Sequence, residues 1–184
     1  MRRAGLRLMV LGLVLLAAAG GLCAWNRAED IRAGAASTRA LAVIDALIAA
    51  PSEPEAAASD DPGYLGRLTI PRLKLELPVW SQWSYANLKT APCRYSGSAE
   101  GGDLVLLAHN YRTHFGPIRR LKPGDRVVFE DLDGRLFEYQ VTAAEVAAPT
   151  DQPEVIAGLH DLKLITCTYG GEARLVVCCD FIKE

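Results

Sequence analysis

The stretch DLKLITCTYGGEARLVVCC, residues 161–179, puts a thiol at the end of one apolar run and a guanidinium at the head of the next, with a Gly-Gly turn between. A cysteine thiolate is a nucleophile, and an arginine beside it can stabilise charge on the sulfur or on an oxyanion that its attack creates. Alternate residues of a strand share a face. Leu162, Leu164 and Thr166 therefore lie on one side, and Lys163, Ile165 and Cys167 on the other. On the second run Leu175, Val177, Cys179 and Phe181 are all apolar and face the core, which leaves Arg174, Val176, Cys178 and Asp180 outside. A four-residue TYGG loop sets Cys167 opposite Glu172, with Arg174 its diagonal neighbour about 7–8 Å away at the backbone. A six-residue loop sets Cys167 directly opposite Arg174. Both registers put the thiol and the guanidinium on one outward face.

A free thiol, with a pKa near 8.5, needs a base to attack and an acid to release an amine. The chain has three histidines. His109 ends the apolar run DLVLLAHN, where catalytic loops commonly begin; His114 lies in the polar YRTHFG; His160 starts the run toward Cys167 and reads as a turn residue. Position ranks His109 first. Plainer readings exist: Cys167 as a structural thiol, Arg174 as a surface charge paired with Glu172, His109 as an inert histidine. A metal site from His109, His114 and Cys167 fits no usual ligand spacing. Asp103, Asp125, Asp131 and Asp133 are too scattered for a calcium site. No cofactor and no metal is expected.

The elements that must position these groups are short. YLGRLTI and LELPVW read as strands broken by Pro71 and Pro78, SYANLKTA as a helical turn or two, and DLVLLAHN as a buried strand ending in His109. FGPIRRL is a short helical connector. DRVVFEDLDGRLFEYQV is two alternating strands around Asp133-Gly134, a hairpin signal. EVIAGL reads as a short helix, and DLKLITC with ARLVVCCDF as a final hairpin. Many short strands with regular turns mean an all-β sandwich or a closed barrel.

The N-terminus differs. Residues 1–7 are a basic leader with Arg2, Arg3 and Arg7, and residues 8–25 are an apolar run ending in Trp25. A basic leader before such a run directs the rest of the chain out of the cytoplasm. A cleaved signal would suit LAAAGG; an uncleaved single-pass anchor suits the following Trp25 and is preferred. Cys23 follows Leu22, where a lipidated cysteine needs a small residue. Residues 26–62 read as a stalk and linker: an alanine-rich helix with Leu41, Ile44, Leu47 and Ile48 at helical spacing, then the polar PSEPEAAASDDP. The remaining unit is 63–184. Five cysteines with no CxxC make no disulfide framework or zinc ribbon. Cys178 and Cys179 point to opposite faces and read as small apolar fillers. A net charge of −2 argues against nucleic-acid binding.

LITC, an arginine heading the next strand, and LVLLAHNYRTHFGPIRRLKPGD upstream together resemble a sortase, a membrane-anchored cysteine transpeptidase found mostly in Gram-positive bacteria. The resemblance covers about residues 63 to 182. The family's strand motif is Thr-Leu-x-Thr-Cys; Leu164, Thr166 and Cys167 match it, and Lys163 replaces the first threonine. It implies a closed β-barrel of about eight short strands with short connecting helices. It also implies Cys167 as nucleophile, His109 as general acid/base and Arg174 as oxyanion or substrate-positioning group. The implied reaction cleaves a Leu-Pro-x-Thr-Gly-like sorting signal on a secreted protein. It then joins the thioacyl intermediate to an amine, from a lipid-linked peptidoglycan precursor or a pilin lysine. The alternative is a cysteine peptidase hydrolysing the same kind of peptide. APCRYSGS and CTYGG resemble class B in wording, but the 141–160 stretch has no room for that class's long helical insertion, so the resemblance does not fix a class.

Overall fold

The computed structural model describes residues 2–49, 63–148, 150–151, 160–168 and 170–182. The PSEPEAAASDDP linker, the EVIAGL segment and Tyr169 lie outside the described residues. Helix α1 (Arg2–Ala49) comes first, followed by strands β1 (Tyr64–Ile70) and β2 (Leu75–Trp80), the short helix α2 (Tyr85–Leu88), and strands β3 (Cys93–Ser96), β4 (Leu104–Leu107), β5 (Arg126–Asp131), β6 (Leu136–Ala147), β7 (Leu162–Cys167) and β8 (Arg174–Phe181). The eight strands close into a barrel in the order β1-β2-β3-β4-β7-β8-β6-β5. Closure leaves no free sheet edge.

Inward positions of the strands fill the barrel. Leu68, Leu77, Leu104, Leu106, Phe129, Tyr139, Leu162, Leu164, Val177 and Cys179 are buried in one cluster, with Leu175 and Phe181 packed against it. The expected parity of β7 and β8 therefore holds on the core side. The other face departs from expectation. Val176 and Cys178, placed outside by the sequence, are buried with Val105 and Ile165 in a second cluster flanked by Leu107, Ala143 and Ala147. The sheet there is covered on both faces, which is why β4 and β7 read as continuous apolar runs.

Most elements match the sequence reading: β1, β2, α2, the 3-10 turn Gly116–Arg120 and the last hairpin. The Asp133-Gly134 hairpin joins β5 to β6, with Gly134 at φ 75, a left-handed value that suits glycine. Three corrections follow. β3, within APCRYSGS, was not expected as a strand; it is four residues long and meets β2 by one parallel pair, Trp80 with Cys93. β4 ends at Leu107, so His109 stands two residues beyond the strand. The stalk stripe is Ala33, Ser37, Ala40 and Ile44, all buried, whereas Leu47 is exposed.

Helix α1 is continuous from the apolar run into this stripe. It is long and apolar enough to cross a membrane, and its apolar window has a mean hydropathy of 2.3 with none of it buried in the protein. Its C-terminal half lies along the barrel. Arg67 on β1 ties the two together: it donates to Asp45 of α1 at 2.7 Å, Glu76 of β2 at 2.9 Å and Glu130 of β5 at 2.6 Å.

Candidate active site

Cys167 is the last residue of β7 and Arg174 the first of β8, and the two are paired directly across the strands. The six-residue loop is the register found, and Thr168 with Ala173 enforces it. The Thr168 backbone N–H donates to the Ala173 carbonyl at 3.0 Å, and the Ala173 N–H donates to the Thr168 hydroxyl at 3.1 Å. Arg174 Nη1 donates to Cys167 Sγ at 3.4 Å, normal for a contact to sulfur. The plainer reading of Arg174 as Glu172's partner is displaced by this contact. Cys167 and Arg174 are both partly exposed, on the outward face that parity predicts.

His109 arrives from the neighbouring strand. β4 and β7 run parallel, with Leu107 beside Ile165. The pairing continues past the end of β4, since the Ala108 N–H donates to the Ile165 carbonyl at 3.1 Å. Thr166 Oγ1 then donates to the Ala108 carbonyl at 2.9 Å. His109 and Cys167 each follow this pairing within two residues, so both stand at the same end of the barrel. Two parallel strands thus deliver an imidazole and a thiol to the same end of the barrel, where β8 begins with the guanidinium.

The loop after His109 is tightly held. The Phe115 N–H donates to the His109 carbonyl, and the His114 and Gly116 N–H groups donate to the Tyr111 carbonyl. A Cβ on residue 116 would sit 2.5 Å from the Asn110 carbonyl oxygen and 2.6 Å from that of Tyr111, so only glycine allows the loop to close this far. The Tyr111 ring centroid lies 5.0 Å from that of His109 and 5.4 Å from that of His114. Beside Cys167 is a mostly apolar cleft of about 190 Å³, walled by Asn110, Gly116, Arg119, Thr166, Thr168 and Leu175. A larger cleft of about 440 Å³, around Arg94, Asp131 and Arg135, contains none of the three candidate residues. The smaller one matters here because the thiol opens into it.

The three histidines have different surroundings. Burial, and then the nearby Lys89 charge, lower the His109 pKa below its ordinary 6.5. His109 is therefore neutral at pH 7, able to take a proton. His114 is fully buried, and burial above all, then the His109 charge, push its pKa down to about 4. Its Nε2 meets Ser37 Oγ of α1 at 3.2 Å. His160, expected as a turn residue, meets Asp180 at 2.8 Å, beside the start of β7 and so at the far end from Cys167. Burial raises the Asp180 pKa, but the bond and charge of His160 together with hydrogen bonds from Thr142 and the Asp161 backbone bring the net direction down. Among the described residues no three His, Cys, Asp or Glu side chains cluster to hold a metal ion.

Three contributors were not read from the sequence. Lys89, which sets part of the His109 field, lies twenty residues away and has no motif. Asp30 and Ser37 of α1 reach the His109 loop: Asp30 Oδ1 accepts from the Thr113 backbone N–H at 3.1 Å and from its hydroxyl at 2.9 Å. The available signal was the spacing of small residues at 33, 37 and 40, which lets a helix come close.

A closed mixed barrel with a cysteine and an arginine paired at its rim, and a histidine two residues beyond the adjacent parallel strand, is the arrangement that the sequence resemblance implies. The sortase domain family matches residues 68–182, and the chain belongs to that family. It is 32% identical over 118 residues to sortase A of Bacillus anthracis, a match covering 60% of this chain and 55% of the relative. The chain spans about half the length of the curated relatives it matches. Sortase C1 of Streptococcus agalactiae superposes with a TM-score of 0.60 at 28% identity, covering 69% of this chain and 72% of that one. A sortase D5 transpeptidase of Clostridium perfringens superposes with a TM-score of 0.68, covering 81% and 99%; at 17% identity it supports the fold alone.

Proposed function

We propose that the chain is a membrane-anchored cysteine transpeptidase. It cleaves a Leu-Pro-x-Thr-Gly-like sorting signal on a secreted protein and joins the acyl group to an amine. The observation that carries this reading is the 3.4 Å contact of Arg174 with the Cys167 sulfur, at the barrel end where His109 follows β4. Family membership supports the same reading.

In this mechanism the Cys167 thiolate attacks the carbonyl before the scissile bond. A C–S bond forms, and the carbonyl oxygen takes up negative charge. Arg174 stabilises that charge at the mouth of a cleft whose apolar walls weaken competing solvation. The C–N bond then breaks, and His109 as imidazolium gives its proton to the leaving amine. A second amine attacks the thioester, His109 takes up its proton, and the thiolate leaves. The product holds a new amide bond.

Burial and the Lys89 charge hold His109 below its ordinary pKa, so at neutral pH its imidazolium form, the proton donor to the leaving amine, is the minor one.

The basic leader, the apolar run and Trp25 support residues 8–25 as a span with the N-terminus in the cytoplasm and residues 63–184 outside. The acceptor is then a lipid-linked wall precursor or a pilin amine. A quenched sorting peptide, assayed with and without added amine, tests the reading. Cleavage accelerated by amine and lost in Cys167→Ala supports it, whereas hydrolysis indifferent to every amine indicates a peptidase.

A further inference from the structure

From sequence, residues 26–62 read as a stalk and linker that separate the apolar run from the domain. The contacts of α1 point to a different arrangement. The helix that carries the apolar run does not end before reaching the barrel; it continues without a break to Ala49 and docks along the barrel's side. Its docking residues appear in a fixed order. Asp30 bonds Thr113 in the His109 loop. Ser37 bonds His114 in the same loop and the Thr90 carbonyl. Asp45 bonds Arg67 midway along β1, and Ile48 lies 3.7 Å from the position of a Cβ on Gly134, at the β5–β6 turn. That turn is at the opposite end of the barrel from Cys167, because β6 runs from it to Ala147, which pairs with Arg174. The helix therefore passes the candidate catalytic end first and the Gly134 end last.

We propose that the barrel end bearing Cys167, His109 and Arg174 faces the bilayer surface and is held there by α1. This rests on the reading of α1 as a membrane span. At 1.5 Å per residue, Asp30 stands only about 8 Å along the helix from Trp25, and Ile48 about 35 Å. The Thr113 loop is thus at headgroup level, and the Gly134 turn is roughly 27 Å further out. The interface is specific: Ala33, Ala40 and Ile44 are buried in it, and a Cβ on Gly34 would already meet the Thr113 methyl at 2.9 Å. The partner this surface fits is the lipid layer itself. The substrates it suits are those presented at the membrane plane, an amine on a lipid carrier among them.

The test uses the full chain in liposomes, in a Cys23→Ala, Cys167→Ala background that removes the two cysteines not buried in the barrel. A donor dye is placed at Arg112→Cys or at Asp133→Cys, both exposed, and energy transfer to acceptor-labelled headgroups of the outer leaflet is measured. The expected result is at least twofold stronger transfer from residue 112 than from 133, and loss of that difference when Ile44→Asp undocks the helix. Equal or reversed transfer overturns the orientation, as does a difference that survives Ile44→Asp. Because the assay reads distance in an inactive background, it can fail while the peptide assay succeeds, and the reverse. Protein stripped from the vesicles by alkaline carbonate overturns the anchor itself.

Discussion

Arg174 and Cys167 face each other across β7 and β8, and the guanidinium donates to the sulfur at 3.4 Å. The pairing is built into the hairpin by the Thr168–Ala173 bonds, so it does not depend on a flexible side chain finding its target. If Arg174 stabilises the transition-state oxyanion, Arg174→Ala should lower kcat/KM by about 10²–10³ with little change in folding. Arg174→Lys keeps the charge but loses the planar fork, and should recover only part of the rate. Steady-state kinetics on a quenched sorting peptide check this. Full activity in Arg174→Ala would remove the arginine from the mechanism.

Burial first, and then the Lys89 charge, hold His109 below its ordinary pKa. The reactive form carries a protonated His109, so a low pKa makes that form scarcer. Lys89→Gln should move the acid limb of the pH–rate profile to higher pH and raise the plateau rate. The limbs report the coupled pair rather than single residues, so the direction of movement is the diagnostic. An acid limb that stays in place would exclude this electrostatic link.

His114 ties the barrel's stability to pH. Its folded pKa of about 4 lies below the ordinary 6.5, so the unfolded chain binds the extra proton in between. Stability is full above pH 6.5, falls as pH drops through that window, and has lost roughly 3 kcal/mol below pH 4. Urea unfolding in detergent at pH 7 and pH 4.5 should show a steeper loss for the wild-type chain than for His114→Gln. Equal slopes would mean that another group carries the acid sensitivity.

The cysteines should separate sharply in reactivity. Burial pushes the Cys93 and Cys178 thiols up to about 11 and Cys179 higher still. Cys167 is partly exposed beside a cationic donor. Alkylation of the membrane-embedded protein at pH 7.5, followed by peptide mapping, should label Cys167 well before the other three. Simultaneous labelling of Cys93, Cys178 and Cys179 would show a barrel that opens on the same timescale.

Much of this was legible in the chain. Alternation in the last hairpin gave the face shared by Cys167 and Arg174, and Asp133-Gly134 marked the β5–β6 turn. The register was not legible, because a Gly-Gly loop closes at four residues or six; the Thr168–Ala173 bonds decide it. The outer burial of Val176 and Cys178 was hidden for another reason. Their neighbours Val105 and Ile165 come from β4 and β7, and a second cluster assembled from distant strands leaves no local period. β3 was missed because four residues with one bridge to β2 are too short to show alternation. The docked face of α1 was misplaced toward Leu47, since the larger residues drew the stripe while Ala33, Ser37 and Ala40 made the close contact. Its place after an apolar run made His109 the candidate, but Lys89, Asp30 and Ser37 act on its loop from elements remote in sequence.

The central claim is that the Cys167 sulfur takes the acyl group and hands it to an amine. Intact-mass spectrometry of the full chain mixed with a sorting peptide tests it most directly. The account predicts a thioacyl adduct mapped to Cys167, absent in Cys167→Ala. On addition of an amine the adduct should disappear as the corresponding amide forms. Peptide cleavage that proceeds unchanged in Cys167→Ala, or an adduct mapped to any other residue, would contradict it.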